Sequence, residues 1–545
     1  MKKYIIAVCA ALLLIYLSPL LTHPLFEPDE GRYAEIPREM IETGDYITPR
    51  LNYVKYFEKP VLLYWMNAAS FKIFGMNEFA ARFPCAALAL AGIAAAALLG
   101  GYIFGGRAGL LSAVVLGTSL LYFAIGTINL TDMPVSCFIT VAAASFYVAA
   151  RSGNRRWYLL FYAAMALAVL TKGLIGIILP GGVAFWYIVL TKKWRLAQDA
   201  LYLPGIALFF IITVPWFYLV CKANPDFFRF FFIQEHFLRY ATKMHGRYEP
   251  FWFFLPMIPA AILPWTGFAL SLFGRGSVVR QPADKDAKDA NVYLLLWFGV
   301  ILLFFSLSSS KLVPYIVPCM PPLAILTAAA IDRMISRGEW GAPLAINAVT
   351  AALFSAALIG FAAANKYIEH TEAVLISIGI ALPFAGANIL AWRRSRTKSG
   401  FAKKTALLLC AGALLFSLAL QGLYIPLGHT RSTRDVAELA SKFAGEGVTI
   451  AVYGDILQGV PFYTRSRVAL VNAVGELEYG MNEADGDERR KWFMDLDTFR
   501  ARWDAGEPFV LIAEEKRLSE LAVLERSKRG RRGAGQYEVM LNTRK

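Results

Sequence analysis

The stretch Phe26-Glu27-Pro28-Asp29-Glu30-Gly31-Arg32-Tyr33 places three carboxylates and one guanidinium within a few residues. Acids beside an arginine suit work on an anionic substrate. Carboxylates orient hydroxyls or take a proton, and arginine holds phosphate by charge-assisted hydrogen bonds. The stretch directly follows an apolar run over residues 5–22. Charge is scarce in this chain: 57% of its 545 residues are hydrophobic and 17% are charged, where soluble domains have about a quarter. A charged cluster at the mouth of an apolar segment points to chemistry at a membrane surface.

The elements that must position it are membrane spans. Many apolar runs reach about 18–23 residues, enough to cross a hydrocarbon core about 30 Å thick. About thirteen are expected, near 5–22, 80–103, 108–126, 133–150, 157–171, 174–190, 200–221, 251–273, 291–308, 312–331, 341–364, 371–392 and 405–425. The first follows Lys2 and Lys3, but it is long and no small-residue cleavage pattern precedes His23-Pro24, so it reads as an uncleaved span. The connecting loops alternate in positive charge. One set carries Lys2 and Lys3, Arg151 to Arg156, Lys192 to Arg195 and Arg393 to Lys404. The other holds single lysines such as Lys172, Lys311 and Lys366. The positive-inside rule puts the first set and the amino terminus in the cytoplasm, and an odd span count puts the carboxy-terminal segment outside. The net charge of +15 is then largely topological, and no motif or aromatic-basic stripe points to nucleic acid. Cys9, Cys85, Cys137, Cys221, Cys319 and Cys410 lie in or beside the spans without metal-like pairing and read as inert thiols.

The fold expected is mainly α: a polytopic membrane domain over 1–430 with external loops at about 23–79 and 222–250, then a small soluble α/β domain over 431–545. In the loops, Val61–Gly75 and Phe227–Arg239 read as helices lying along the interface. In the soluble domain Val448–Gly454, Val468–Asn472, Phe509–Ala513 and Tyr537–Leu541 read as strands. Val436–Phe443 and Asp497–Trp503 read as helices.

If the spans bundle, the external groups can converge on one cavity: Asp29, Glu30, Arg32, Tyr33, Glu58 and Lys59 from the first loop, with Asp132, Lys172, His236, Lys311 and Tyr315 from later ones. A glycosyl transfer from a polyprenyl phosphate needs such a mixture. Its leaving group is already good, so the protein must position the acceptor and stabilise phosphate charge. No nucleotide and no organic cofactor are needed.

The segments PDEGRYAEI, Phe57-Glu58-Lys59-Pro60, Thr131-Asp132-Met133, Thr171-Lys172-Gly173, Gln234-Glu235-His236 and Ser310-Lys311-Leu312-Val313-Pro314-Tyr315 occur in this order. In them the chain resembles the bacterial lipid A aminoarabinose transferases, within the wider protein O-mannosyltransferase-like group of C-type glycosyltransferase fold. The resemblance implies transfer of 4-amino-4-deoxy-L-arabinose from undecaprenyl phosphate to a lipid A phosphate at the periplasmic face of the bacterial inner membrane. That transfer lowers the negative charge of lipopolysaccharide and protects against polymyxin and cationic peptides. It implies Asp29 as the principal catalytic carboxylate with Asp132 as a second. Arg32 and Lys59, with Tyr315, would bind the donor phosphate, and Glu30, Tyr33, Lys172 and Lys311 would line the cavity. Glu58 and His236 would share a divalent metal such as zinc. No protein partner is implied.

Other readings stay open from the residues themselves. Asp132 also suits a helix start before Met133-Pro134, and Lys172 and Tyr315 suit anchors at the headgroup level. Glu58 suits a simple ion pair, and a metal on two ligands would be weakly held. A lipid A phosphate is already ionised, its second pKa being about 6, so Asp29 would orient the donor. With a hydroxyl acceptor Asp29 would be a base. The nearest rival function is another polyprenyl-phosphate glycosyltransferase, acting on lipopolysaccharide core or protein hydroxyls. A lipid or sugar transporter fits less well, because transporters place ionisable groups near the bilayer midplane.

Overall fold

The computed structural model describes residues 2–238, 249–274, 276–364, 370–395, 402–524 and 530–542. The chain divides into two compact units. One comprises Met1–Leu20, Cys85–Cys221 and Phe228–Leu423, and the other Leu21–Pro84, Lys222–Phe227 and Tyr424–Lys545.

The first unit is helical. Among the described residues of the whole chain, nine helices are long and apolar enough to cross a membrane, or ten if one bent pair forms a single span. The difference from about thirteen has local causes. The run expected at 108–126 bends by 66° between Gly106–Thr118 and Leu120–Gly126. Trp157–Lys172 and Ile175–Thr191 are apolar but shorter. The run at 251–273 breaks into Phe254–Ala261 and Thr266–Leu270. Pro264 lies in that break and has no N–H to continue a helix. Successive helices pack on one another, notably Asp132–Ser152 on Trp157–Lys172, and Gly341–Ala364, His370–Ser395 and Ala402–Leu420 in turn. Some polar side chains bridge them, as apolar surroundings favour. Asn347 Nδ2 donates to Asn388 Oδ1 at 2.9 Å, and Gly267 N donates to Asn347 Oδ1 at 2.9 Å. All six cysteines are unbridged; Cys85, Cys137 and Cys319 are buried, and Cys9 is exposed.

The second unit joins residues distant in sequence. The acid-rich motif, expected in a loop, is a helix, Asp29–Thr43. Asp29 and Glu30 lie in its first turn, where acids interact well with the helix dipole. It ends at Gly44, whose φ of 73° is left-handed and whose N–H bonds Met40 O at 3.0 Å. Periodicity hid this helix because residues 30–40 are all buried, charged ones included: Glu35, Arg38 and Glu39 are each at most 3% exposed. Arg38 Nη2 donates to Glu35 Oε1 at 2.6 Å. The helix expected at 61–75 is present as Leu62–Phe74. It lies on the motif helix, with Asn67 Nδ2 donating to Tyr33 O at 3.0 Å. The helix expected at 227–239 is present over Arg229–Leu238, wound wider than an α-helix.

The carboxy-terminal part forms a six-stranded sheet. Its strands run, edge to edge, Phe493–Met494, Ala469–Val471, Thr449–Tyr453, Phe509–Glu514, Tyr537–Leu541 and Gly530–Ala534. The first four are parallel, and Tyr537–Leu541 runs antiparallel to both of its neighbours. The four expected strands and both expected helices, now Arg434–Ser441 and Leu496–Asp504, are present. Phe493–Met494 escaped reading because two residues carry no alternation, and Gly530–Ala534 because it is glycine- and arginine-rich.

Candidate active site

The first turn of the motif helix points one acid outward and one inward. The Asp29 side chain is 51% exposed, and that of Glu30 is 2% exposed. Asp29 pairs with Arg32 one turn on. Arg32 is itself buried and also pairs with Glu476, while Tyr56 OH accepts from its Nη1 at 3.0 Å. Burial opposes the charge on Arg32. The surrounding Tyr56, Glu476, Tyr33 and Asp29 more than offset it and hold its pKa above the ordinary range. The guanidinium also lies over the Tyr33 ring, 5.3 Å from its centroid. Lys59 Nζ donates to Glu58 O at 3.0 Å and lies 3.8 Å from the Glu58 carboxylate. Asp29, Glu58 and Lys59 all act electrostatically on Glu476. Asp29, Arg32, Tyr33, Glu58 and Lys59 therefore come together, with two additions that sequence reading missed. Tyr56 adjoins the Phe57-Glu58-Lys59-Pro60 motif and could have been found there. Glu476 has no signal at all; it lies 444 residues from Arg32.

Glu30 turns inward to an arginine that the sequence reading also missed. Arg82 donates to both Glu30 oxygens at 2.8 Å, and to His23 O and Pro24 O at 2.8 Å each. Phe26 N donates to Glu30 Oε2 at 3.0 Å. Burial alone would raise the Glu30 pKa, but the Arg82 charge and hydrogen bonds outweigh it and hold the group below the usual carboxylate value. The available signal was Arg82 itself, a charge just inside an apolar span, where an unpaired one is seldom tolerated.

Glu27 fastens the motif to the carboxy-terminal segment of the same unit. It accepts from Thr433 Oγ1 at 2.7 Å, Gln458 N at 3.0 Å and Gly459 N at 2.6 Å. Desolvation pushes its pKa up to about 7 against these bonds. The backbones meet so closely that a Cβ on Gly31 would lie 2.5 Å from Gly459 N. Gly31 is thus required by contact and not by φ. Gly31→Ala is expected to cost about 1–3 kcal/mol as an overpacked site. Thermal melting of the purified protein reads this, and an unchanged melting temperature would contradict the close approach.

Asp132, Lys172 and Tyr315 come together in the other unit. Asp132 opens the helix Asp132–Ser152 and Lys172 closes the helix Trp157–Lys172, so packing of the two brings the ends together. Lys172 Nζ donates to Asp132 Oδ1 at 2.6 Å and lies 5.0 Å from the centroid of the Tyr315 ring. Asp132 makes no side-chain cap; Thr131 is the residue before the helix. Lys311 is buried and donates to Ser308 O at 2.5 Å and Glu249 O at 2.8 Å. Desolvation lowers its pKa. The side chain of His236 lies outside the described residues. Among the described residues no cluster of three or more His, Cys, Asp or Glu could hold a metal, and Glu58 already faces Lys59. The residues described do not form a metal site.

The chain joins many apolar helices to an α/β unit and sets a buried arginine beside a half-exposed carboxylate, and its relatives make it a membrane glycosyltransferase. Residues 58–219 match the family described as dolichyl-phosphate-mannose-protein mannosyltransferase, and residues 436–528 match the aminoarabinose transferase C-terminal domain. The chain belongs to the undecaprenyl phosphate-α-4-amino-4-deoxy-L-arabinose arabinosyl transferase family. The relative of that name from Enterobacter sp. (strain 638) is 31% identical, the match covering 92% of this chain and 91% of the relative. The one from Pectobacterium carotovorum subsp. carotovorum (strain PC1) is 32% identical over 96% and 92%. The crystal structure of ArnT from Cupriavidus metallidurans bound to undecaprenyl phosphate superposes with a TM-score of 0.87 at 30% identity, covering 100% of this chain and 98% of that one.

Proposed function

We propose that this enzyme transfers 4-amino-4-deoxy-L-arabinose from undecaprenyl phosphate to a phosphate of lipid A at the periplasmic face of the inner membrane. The observation that carries the reading is Arg32: a buried guanidinium paired with the open carboxylate of Asp29 and with Glu476, on which Lys59 also acts, in a chain of this family. Arg32 and Lys59 hold the donor phosphate and stabilise the charge that grows on it as the glycosidic bond breaks. Asp29, half exposed and fixed by Arg32, orients the sugar. Proton removal is not its main task, because a phosphate acceptor is already ionised near neutral pH. Within their own unit Asp132 is read as a second carboxylate, held by Lys172. Glu30 and Tyr33 shape the motif helix from within. The positive-inside pattern supports a cytoplasmic amino terminus, with Asp29 and the carboxy-terminal domain in the periplasm. The product carries an added amine cation on a phosphate that has lost one titratable proton site, so the surface binds polycations less well.

Mass spectrometry of lipid A from cells with and without the gene tests this. Loss of the aminoarabinose increment without the gene is expected. Unchanged lipid A, with an altered lipopolysaccharide core or glycoprotein, would move the enzyme to the hydroxyl-acceptor branch of its superfamily.

A further inference from the structure

Arg32 serves two carboxylates of different origin. One terminal nitrogen is bonded to Glu476 and Tyr56 and the other to Asp29. The buried Nε has no hydrogen-bond partner among the described residues. Glu476 comes from the turn Gly475–Leu477, beyond the end of strand Ala469–Val471. Gly475, at φ 43°, opens that turn. The other Glu476 oxygen accepts from Gln458 Nε2. Gln458 is 2% exposed and follows strand Thr449–Tyr453, parallel to the first.

Both residues therefore stand beyond the carboxyl ends of adjacent parallel strands. Open α/β sheets bind their ligands at that end, where the strand order reverses. Here the order reverses between Thr449–Tyr453 and Phe509–Glu514, and Glu27, Gly31 and Arg32 of the motif meet that end. The sheet presents a carboxylate to the motif's arginine.

A phosphate and Glu476 would need the same N–H groups, and two anions on one edge of a guanidinium repel. Glu476 holds its charge weakly. Burial raises its pKa, Glu58 and Asp29 add to this, and Arg32 and Lys59 oppose it. It also sits on a short turn, not within a strand or long helix.

We propose that Glu476 is a positioning residue for the donor-binding arginine: a stand-in anion, supplied by the carboxy-terminal domain, that competes with the donor phosphate for Arg32. This rests on the reading of Arg32 as a phosphate ligand. The domain then sets donor affinity without touching the sugar.

Glu476→Gln keeps the shape and one acceptor but removes the competing charge. In the purified full-length enzyme it is expected to tighten undecaprenyl phosphate binding by roughly five- to tenfold. Donor KM falls with it, while kcat changes by less than about twofold, because only uniform binding has changed. Glu476→Ala removes the competing carboxylate altogether and is expected to tighten binding in the same direction, so it carries the test if the first variant misfolds. Arg32→Ala is the third arm. Weakened binding in Arg32→Ala with unchanged or weaker binding in the other two overturns the competition and leaves the phosphate reading standing. Wild-type binding in Arg32→Ala overturns both.

Discussion

Asp29→Asn is expected to slow sugar transfer by about 10- to 100-fold, with melting temperature little changed. The size follows from the role. An orienting carboxylate contributes a charged hydrogen bond of about 1.5–3 kcal/mol, about one to two decades in rate. A general base is worth about two to four decades. Asp29 is the motif's exposed acid and is fixed by Arg32, so the side chain is both reachable and aimed. The amide keeps its shape but loses the charge that faces Arg32. A loss of about 1,000-fold or more would point to a hydroxyl acceptor and a true base. Full activity would remove Asp29 from the mechanism. Initial rates on purified lipid A, against the melting curve as a folding control, separate these outcomes.

Arg82→Ala is expected to destabilise the unit that holds the motif by about 3–5 kcal/mol, the cost of leaving a buried charge without its partner. Arg82 makes four hydrogen bonds of 2.8 Å, two to Glu30 and two to the carbonyls of His23 and Pro24. Without them Glu30 remains buried, and its pKa, now held low by Arg82, rises under desolvation. The sign of the pH effect follows. With a folded-state pKa above the unfolded value of about 4.3, stability is present in acid and lost as pH rises through the folded pKa. The defect is therefore deepest near neutrality and eases toward pH 4. Glu30→Met combined with Arg82→Met removes both charges and is expected to melt closer to the wild type than Arg82→Ala does. Equal melting of Arg82→Ala and wild type would show that the pair does not hold the segment. Activity falls with stability here, although neither residue need touch substrate.

Much of this was legible in the sequence, and the reason differs by element. The spans announced themselves by length and apolarity. Those that bend or break did so at Ser119 and around Pro264, features of backbone geometry that hydropathy averages away. Four of the six α/β strands alternated or ran apolar, so they were found. The motif helix was not, because burial by ion pairs leaves no apolar stripe: Glu35 and Arg38 satisfy each other inside the unit. Of the candidate residues, Asp29, Arg32, Glu58 and Lys59 could be grouped because they are neighbours in sequence. Asp132, Lys172 and Tyr315 could be grouped because helix ends carry them. Glu476 and Arg82 could not. Each is one half of a charge pair whose other half is 444 and 52 residues away, and a single sequence records only the halves.

The bonds from Glu27 and Arg32 to residues 433–476 also set a schedule. Arg32 and Glu476 are 444 residues apart, so at the usual pace of synthesis roughly 20–90 s separate the appearance of the two. For that interval the motif helix lacks the Glu27 fastening and its second carboxylate. A nascent chain therefore carries Arg32 in an unfinished setting until Glu476 has been made. Premature termination before about residue 476 would leave the acid-rich motif without these partners.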